Sequence, residues 1–553
     1  MMLLTTSLPF LLAYLVAPSS ARNAPRITLG RTTIIGRDVT GFKQDFFGGI
    51  PFAEPPLGNL RLNPPVLKTE LSVSTLNATD FGPACLGFQP AIPRDRLSED
   101  CLTINVFRPS GIARNASLPV LFWTYGGGFD EGGSLLYNGS TIVAQSVARG
   151  TPLIYVNFNY RLGPLGFPQG QEADDRGALN LGLKDQIAAL EWVQHNIGTF
   201  GGDKNKVTAF GESAGAMMTA ILYLNSPLER LARGAILQSG SAGTSLTFNA
   251  ERREIDWQNF VSGVPHCASK AESGNTFDCL RAANSSDILQ GVLESLEKAP
   301  EQFGFVPTLD GPGGLFPDVA SILFARGQFA RIPFIAGTVL DEGTVFTPRT
   351  INSSIKFRDD IIANFSPPFT TPFDLRHSVD RLFQLYPDVP ALGSPFNTGN
   401  ETFGLSSVYK QAAAIQGDLF FEAPRRLWIQ IASAAGIKCF GYLFTEPDPA
   451  NAGTGLGVAH ASDVPLLYGN QADPTPSSNR LSKIMIDYWI SFATSLNPND
   501  NRGIERPQWP QYTPSNQVVM QLNGANLTVI PDDYRSEQIN FINSSPSTFR
   551  HRR

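Results

Sequence analysis

The spacing of apolar and polar residues changes character along the chain. Near the start, residues 27–35 form short extended runs that predict antiparallel strands joined by turns. From Pro119 onward, residues 120–124, 153–157 and 207–210 are short, β-rich and apolar at nearly every position. Strands apolar on both faces belong in a parallel sheet covered by helices. Between the last two, Leu183, Ile187, Leu190, Val193 and Ile197 recur three or four positions apart, which predicts a helix with one buried face. Residues 332–336 and 439–444 repeat the strand signature. Residues 347–438 read as mostly helical and polar, an insertion covering the sheet's C-terminal edge. The pattern as a whole is α/β, with a large, mostly parallel central sheet and helices on both faces. No repeat, low-complexity block or linker divides the chain, so residues 22–553 are read as one domain.

Composition narrows what that domain does. With 553 residues, 42% hydrophobic and 17% charged, the chain has ample material for a large core. A net charge of −6 and the lack of a long Lys/Arg block argue against nucleic-acid partners. The basic end Arg550-His551-Arg552-Arg553 reads as a frayed tail. At the other end, residues 8–16 are apolar but too few to span a bilayer, and Ser19-Ser20-Ala21 follow. Residues 1–21 therefore read as a signal peptide, which predicts a secreted, extracellular protein without a stable membrane anchor. Nine Asn-x-Ser/Thr sequons, at Asn77, Asn115, Asn138, Asn284, Asn352, Asn364, Asn400, Asn526 and Asn543, agree with that route. So do the five cysteines, which fall as two close pairs, Cys85 with Cys101 and Cys267 with Cys279, plus Cys439 in an apolar run. Cys439 reads as a buried free thiol.

The chemistry begins at Gly211-Glu212-Ser213-Ala214-Gly215, directly after the strand at 207–210 and before a helix-forming run. Gly-x-Ser-x-Gly in that setting is a nucleophile elbow, in which a sharp turn presents the serine and glycines relieve the crowding around it. Serine needs a base to take its proton and donors for the oxyanion it generates. Gly126-Gly127-Gly128-Phe129, after the strand ending at Thr124, offers backbone donors, and the amide of Ala214 is another. The chain order tied to this elbow is Ser, then Asp or Glu, then His. Of five histidines, His195 precedes the serine, His266 leaves no room for an acid-bearing strand, and His551 is in the tail. His377 lies in a charged helical segment, so His460, in a glycine-containing loop after the strand at 439–444, is the candidate base. The acid lies in Leu340-Asp341-Glu342-Gly343, where the physics of the sequence leaves Asp341 and Glu342 both open. Asp310 reads as a turn residue. No metal cluster, phosphate loop or dinucleotide fingerprint is present, so no cofactor is expected.

Several further motifs carry a resemblance. Gly49-Ile50-Pro51-Phe52-Ala53-Glu54-Pro55-Pro56 with Arg61, Ser98-Glu99-Asp100-Cys101-Leu102, Asn159-Tyr160-Arg161-Leu162-Gly163 and the elbow together resemble the type B carboxylesterase/lipase family over nearly the whole mature chain. The resemblance implies an α/β-hydrolase fold and hydrolysis of a small-molecule or lipid ester through an acyl-enzyme. It implies Ser213 as nucleophile, Glu342 as acid, His460 as base, and Gly127, Gly128 and Ala214 as oxyanion donors. It also implies Ser239 as a supporting partner and disulfides Cys85 to Cys101 and Cys267 to Cys279. One departure stands out: the family's lipases carry a mobile lid in the first disulfide loop, whereas here that loop is only residues 86–100. It contains no Trp and a single aromatic, Phe88, which speaks against a choline-binding cage. A triacylglycerol or sterol-ester lipase is the alternative within hydrolases. A binding module is the alternative outside them, but some relatives of that kind have lost the serine and this chain has not.

Overall fold

The computed structural model describes residues 24–549 except 225–227, 246–247 and 369. The leader and the basic tail with His551 lie outside the described residues. In chain order the strands are β1 (Arg26–Leu29), β2 (Thr32–Ile35), β3 (Arg37–Val39), β4 (Gln44–Pro51), β5 (Thr75–Asn77), β6 (Thr103–Pro109), β7 (Leu118–Thr124), β8 (Ile154–Phe158), β9 (Gly202–Glu212), β10 (Gly234–Gln238), β11 (Phe334–Val339), β12 (Cys439–Phe444), β13 (Val518–Leu522) and β14 (Thr528–Pro531). β1 and β2 pair antiparallel, as the early runs predict, and join β5 in a small separate sheet.

The other strands form one sheet of 11, ordered β14-β13-β12-β11-β10-β9-β7-β8-β6-β4-β3. From β13 to β8 the neighbours are all parallel, and antiparallel pairs flank that block on both sides. Every residue of β8, β10, β11 and β12 is buried, which is why these segments are apolar throughout instead of alternating. The strand at 439–444 falls where its pattern places it, while the one read at 332–336 starts at Phe334 and runs on to Val339. Pro333 has no N–H to give the ladder; its carbonyl accepts from the Ala235 amide at 3.1 Å, and the strand's own donors begin after it. Helices surround the sheet. The predicted helix is Leu181–Asn196, but its burial is not confined to one face: Asp185, Ala189 and Trp192 are buried along with Leu183, Leu190 and Val193, and Gln186 Nε2 ties it to the helix Ala214–Leu224 by donating to Thr219 Oγ1 at 3.0 Å.

Residues 347–438 are indeed largely helical, with helices Ser354–Asn364, Pro372–Leu385, Ser407–Gly417 and Ala423–Ala434 and a π-helical turn Asp418–Glu422. The polar reading of this stretch needs correction, because Lys410, Asp418, Glu422, Arg425 and Arg426 are all buried. The arginines are paired inside, Arg425 reaching Asp532 at 2.7 Å and Arg426 the same carboxylate at 3.0 Å, while Lys410 Nζ donates to Thr398 Oγ1 and the carbonyls of Gly399 and Glu401. Buried charge persists only when matched in this way, and a pattern of polar letters does not reveal the match. Part of the stretch, with residues 539–549, builds a second apolar cluster around Val379, Leu382, Ile415 and Ile539.

Candidate active site

β7, β9, β11 and β12 run parallel, so the segments leaving them emerge along one edge of the sheet. Open α/β sheets place their ligand sites at this edge. Ser213 follows β9 immediately and opens the helix Ala214–Leu224. Its φ is +52°, a left-handed conformation that a non-glycine residue adopts only when its surroundings impose it. Those surroundings are the end of β7. A Cβ on Gly211 would lie 2.7 Å from the Thr124 carbonyl oxygen, and one on Gly215 would overlap that carbonyl outright. The two glycines therefore let the elbow press onto β7.

The same strand leads into the glycine turn. A Cβ on Gly126 would lie 2.9 Å from Ser213 Cβ, so turn and serine are in contact. Gly127 has φ +106° and Gly128 φ +61°, and among the described residues no group accepts from the amides of Gly127, Gly128 or Ala214. Three backbone donors left free beside a serine at a helix N-terminus suit a developing oxyanion. The loop closed by the Cys85–Cys101 disulfide is pinned to this turn: Gln89 and Gly132 exchange two hydrogen bonds, of 2.8 and 3.0 Å, and the Phe88 amide donates to the Asp130 carbonyl at 2.9 Å. It holds a 3-10 turn, Arg94–Arg96, and no α-helix. The second bond joins Cys267 and Cys279, and Cys439 is a buried free thiol whose pKa burial pushes up to about 12.

On the far side of the elbow, His460 Nδ1 meets Glu342 Oε2 at 2.5 Å, and the other Glu342 oxygen accepts from the Val339 amide at 2.9 Å. Asp341 faces elsewhere. Its carboxylate accepts from Ser394 Oγ and the Phe396 amide, each at 2.8 Å, and from the Val458 amide at 2.9 Å. Asp310 accepts two amides of its own turn, from Leu315 and Phe316. His195, His266 and His377 are exposed. Ser239 is buried beside the elbow with φ +50°, and its hydroxyl makes no hydrogen bond among the described residues.

Two carboxyls near His460 went unread in the sequence. Glu212 Oε1 lies 3.2 Å from His460 Nε2, and Glu212 is buried. Burial raises its pKa to about 8 against the attraction of His460. Asp463, also buried and also raised by burial, accepts from Gln238 Nε2 at 2.9 Å and Tyr442 Oη at 2.8 Å. For His460, burial favours the neutral ring, but the carboxylates of Glu212 and Glu342 together outweigh it and raise the pKa to about 9. At neutral pH Glu212 holds its proton, which removes its share of that pull and leaves the ring with Glu342. Phe421 and Phe346 flank the imidazole, with ring centroids 4.7 and 5.0 Å away. Glu212 stood inside the elbow motif and Asp463 three positions after His460, but nothing in the letters marked either as facing the base. Among the described residues no group is arranged to hold a metal ion, and no helix is long and apolar enough to cross a membrane.

A mostly parallel sheet with a strained serine elbow, free backbone donors and a histidine bound to a carboxylate defines the class of serine hydrolases with the α/β-hydrolase fold. Residues 23–542 match the carboxylesterase family, and the chain belongs to it; it is a carboxylic ester hydrolase. It is similar to lipase 2 of Geotrichum candidum, at 35% identity over 93% of this chain and 94% of that one. Secreted lipase 1 of Botryotinia fuckeliana is 34% identical over 95% and 94% of the two chains. Among solved structures, EstA of Aspergillus niger superimposes with a TM-score of 0.80 at 27% identity, covering 95% of this chain and 99% of that one.

Proposed function

We propose that the protein is a secreted esterase that cleaves carboxylic esters through an acyl-enzyme on Ser213. The observation that carries this reading is the placement of the His460–Glu342 pair and the strained Ser213 turn at one edge of the sheet. Ser213 Oγ attacks the ester carbonyl and gives its proton to His460 Nε2, which makes no hydrogen bond among the described residues and has Glu212 Oε1 3.2 Å away. The amides of Gly127, Gly128 and Ala214 receive the oxyanion. The C–O bond to the alcohol breaks as His460 returns the proton to the leaving oxygen. Water then attacks the acyl group with His460 again as base, releasing the acid and restoring the serine. Glu342 holds the ring's tautomer and stabilises the imidazolium.

Phe303, Phe346 and Phe421 give the site an apolar wall: a Cβ on Gly128 would strike the Phe303 ring, Phe303 meets Phe346 edge-on at 6.2 Å, and Phe346 stacks on Phe421 at 5.4 Å. This favours apolar acyl or alcohol groups. An organophosphate is expected to label Ser213, and Ser213→Ala to abolish turnover of a short p-nitrophenyl ester; retained turnover would overturn the reading. A second reading, a triacylglycerol lipase, is supported by the lipase names of the fungal relatives. The pinned, helix-free loop at 86–100 favours the esterase. Rates on dissolved and emulsified esters separate the two, since a jump at the oil surface selects the lipase.

A further inference from the structure

We infer that Asp341, adjacent to the acid, is the positioning residue of the base: its buried carboxylate holds the loop that carries His460 at a fixed distance from Glu342. The inference rests on the Ser213, Glu342, His460 reading above. Asp341 is 2% exposed and its carboxylate ties two separate segments to its own turn. One oxygen accepts from Ser394 Oγ and the Phe396 amide, and the other from the Val458 amide, two residues before His460. The backbone repeats the tie, with the Asp341 amide donating to the Val458 carbonyl at 3.0 Å and Asp341 bridging Ala459 in parallel fashion.

Other contacts make the same join. Thr344 Oγ1 lies 2.9 Å from the Asp341 carbonyl and 2.8 Å from the Leu456 carbonyl. Tyr409 Oη reaches the carbonyls of Thr344 at 2.9 Å and Gly455 at 3.3 Å. Gly457 packs so closely that a Cβ there would collide with the Asp341 carboxylate. Behind the Ser394–Phe396 turn, the Arg535 guanidinium sits 4.1 Å from the Phe396 ring centroid and is paired with Asp418 at 2.7 Å, which backs the turn with a fixed structure. Acid and base thus hang from one turn, residues 341–344: Glu342 by its own backbone, His460 by the carboxylate next door. Three donors converge on Asp341, and charge-assisted bonds of this kind are the strong ones. An amide in its place keeps an oxygen for Ser394 and Phe396 but turns an N–H toward the Val458 N–H, so the tie to the base loop is the one lost.

The test compares Asp341→Asn with Ser394→Ala on a short p-nitrophenyl ester, with the low-field proton signal of His460 Nδ1–H as a second readout. Asp341→Asn is expected to lower kcat about 10- to 100-fold with KM within about threefold, and to broaden or erase that signal. Ser394→Ala, which leaves the Val458 bond in place, is expected to keep kcat within about threefold. Asp341→Asn with wild-type kcat and signal overturns the inference. So does an equal loss in both variants that follows their melting temperatures while the signal stays unchanged. If Asp341→Asn does not fold, Thr344→Val decides: a kcat several-fold lower at unchanged KM supports the inference, and an unchanged kcat overturns it. Wild-type protein that turns over no ester would instead overturn the reading of the site itself.

Discussion

Ser213 and His460 stand at the same edge of the sheet, yet they are held there by different kinds of contact. The serine is fixed by its immediate neighbours, Gly211 and Gly215, pressing onto backbone at the end of β7. The histidine sits at the end of a loop beyond β12 and is fixed by residues far away in sequence, Asp341 binding Val458 across 117 positions and Glu342 binding His460 across 118. A locally determined turn is built into the sheet and cannot yield without disturbing it. A loop held by side-chain hydrogen bonds can lose its aim while the fold survives. The elbow should therefore fail as a fold, and the base loop should fail as a catalyst.

Four substitutions test that contrast. His460→Ala removes the base itself and is expected to lower kcat by about 10⁴-fold or more while leaving the melting temperature near wild type, read by ester turnover and thermal melts. Gly215→Ala drives a methyl group into the Thr124 carbonyl, which is backbone and cannot swing aside. A loss of about 3 kcal/mol in stability, or insoluble protein, is expected, and soluble, wild-type-like protein would break the comparison. Gly457→Ala sets its methyl against the Asp341 carboxylate and Pro395 at a φ of +61°. The expected outcome is folded protein with kcat lowered about tenfold, since small misplacements of a reacting group cost rate steeply.

The smallest effect expected is on pH dependence. Glu212→Gln copies the protonated acid that the site holds below about pH 8, so the acidic limb of the kcat/KM profile should stay in place below that pH. Stability gives an independent readout. Glu212 keeps its proton in the folded protein up to about pH 8, whereas the unfolded chain releases it near 4.5. The folded state binds more protons across that window, so Glu212 weakens folding progressively as pH rises through it. Melting temperatures of Glu212→Gln should fall less steeply between those values than those of the wild type. An acidic limb that moves to lower pH would mean that Glu212 is ionised there and shares with Glu342 in lifting the base.

The sequence by itself determined the parts whose causes are local. Strands apolar on both faces had to enter a covered parallel sheet, as β8 and β12 do. Gly-x-Ser-x-Gly between strand and helix had to be a sharp turn, and the order of residues after it singled out His460 from five histidines. Only the tertiary structure decided the parts that depend on residues remote in sequence. Asp341 and Glu342 are neighbours with the same chemistry, and the direction each carboxylate faces is set by Val458, Ser394 and His460 arriving from elsewhere in the chain. The arginines of the Ala423–Ala434 helix look solvated in the sequence and are buried, because their partner Asp532 comes from the far C-terminal region. Burial raises the pKa of both Glu212 and Asp463 against the attraction of His460, and that burial is made by the fold and not by their neighbours in sequence. Hydrophobic period and turn chemistry can be read along a line of letters, whereas burial and the approach of charges are properties of three dimensions.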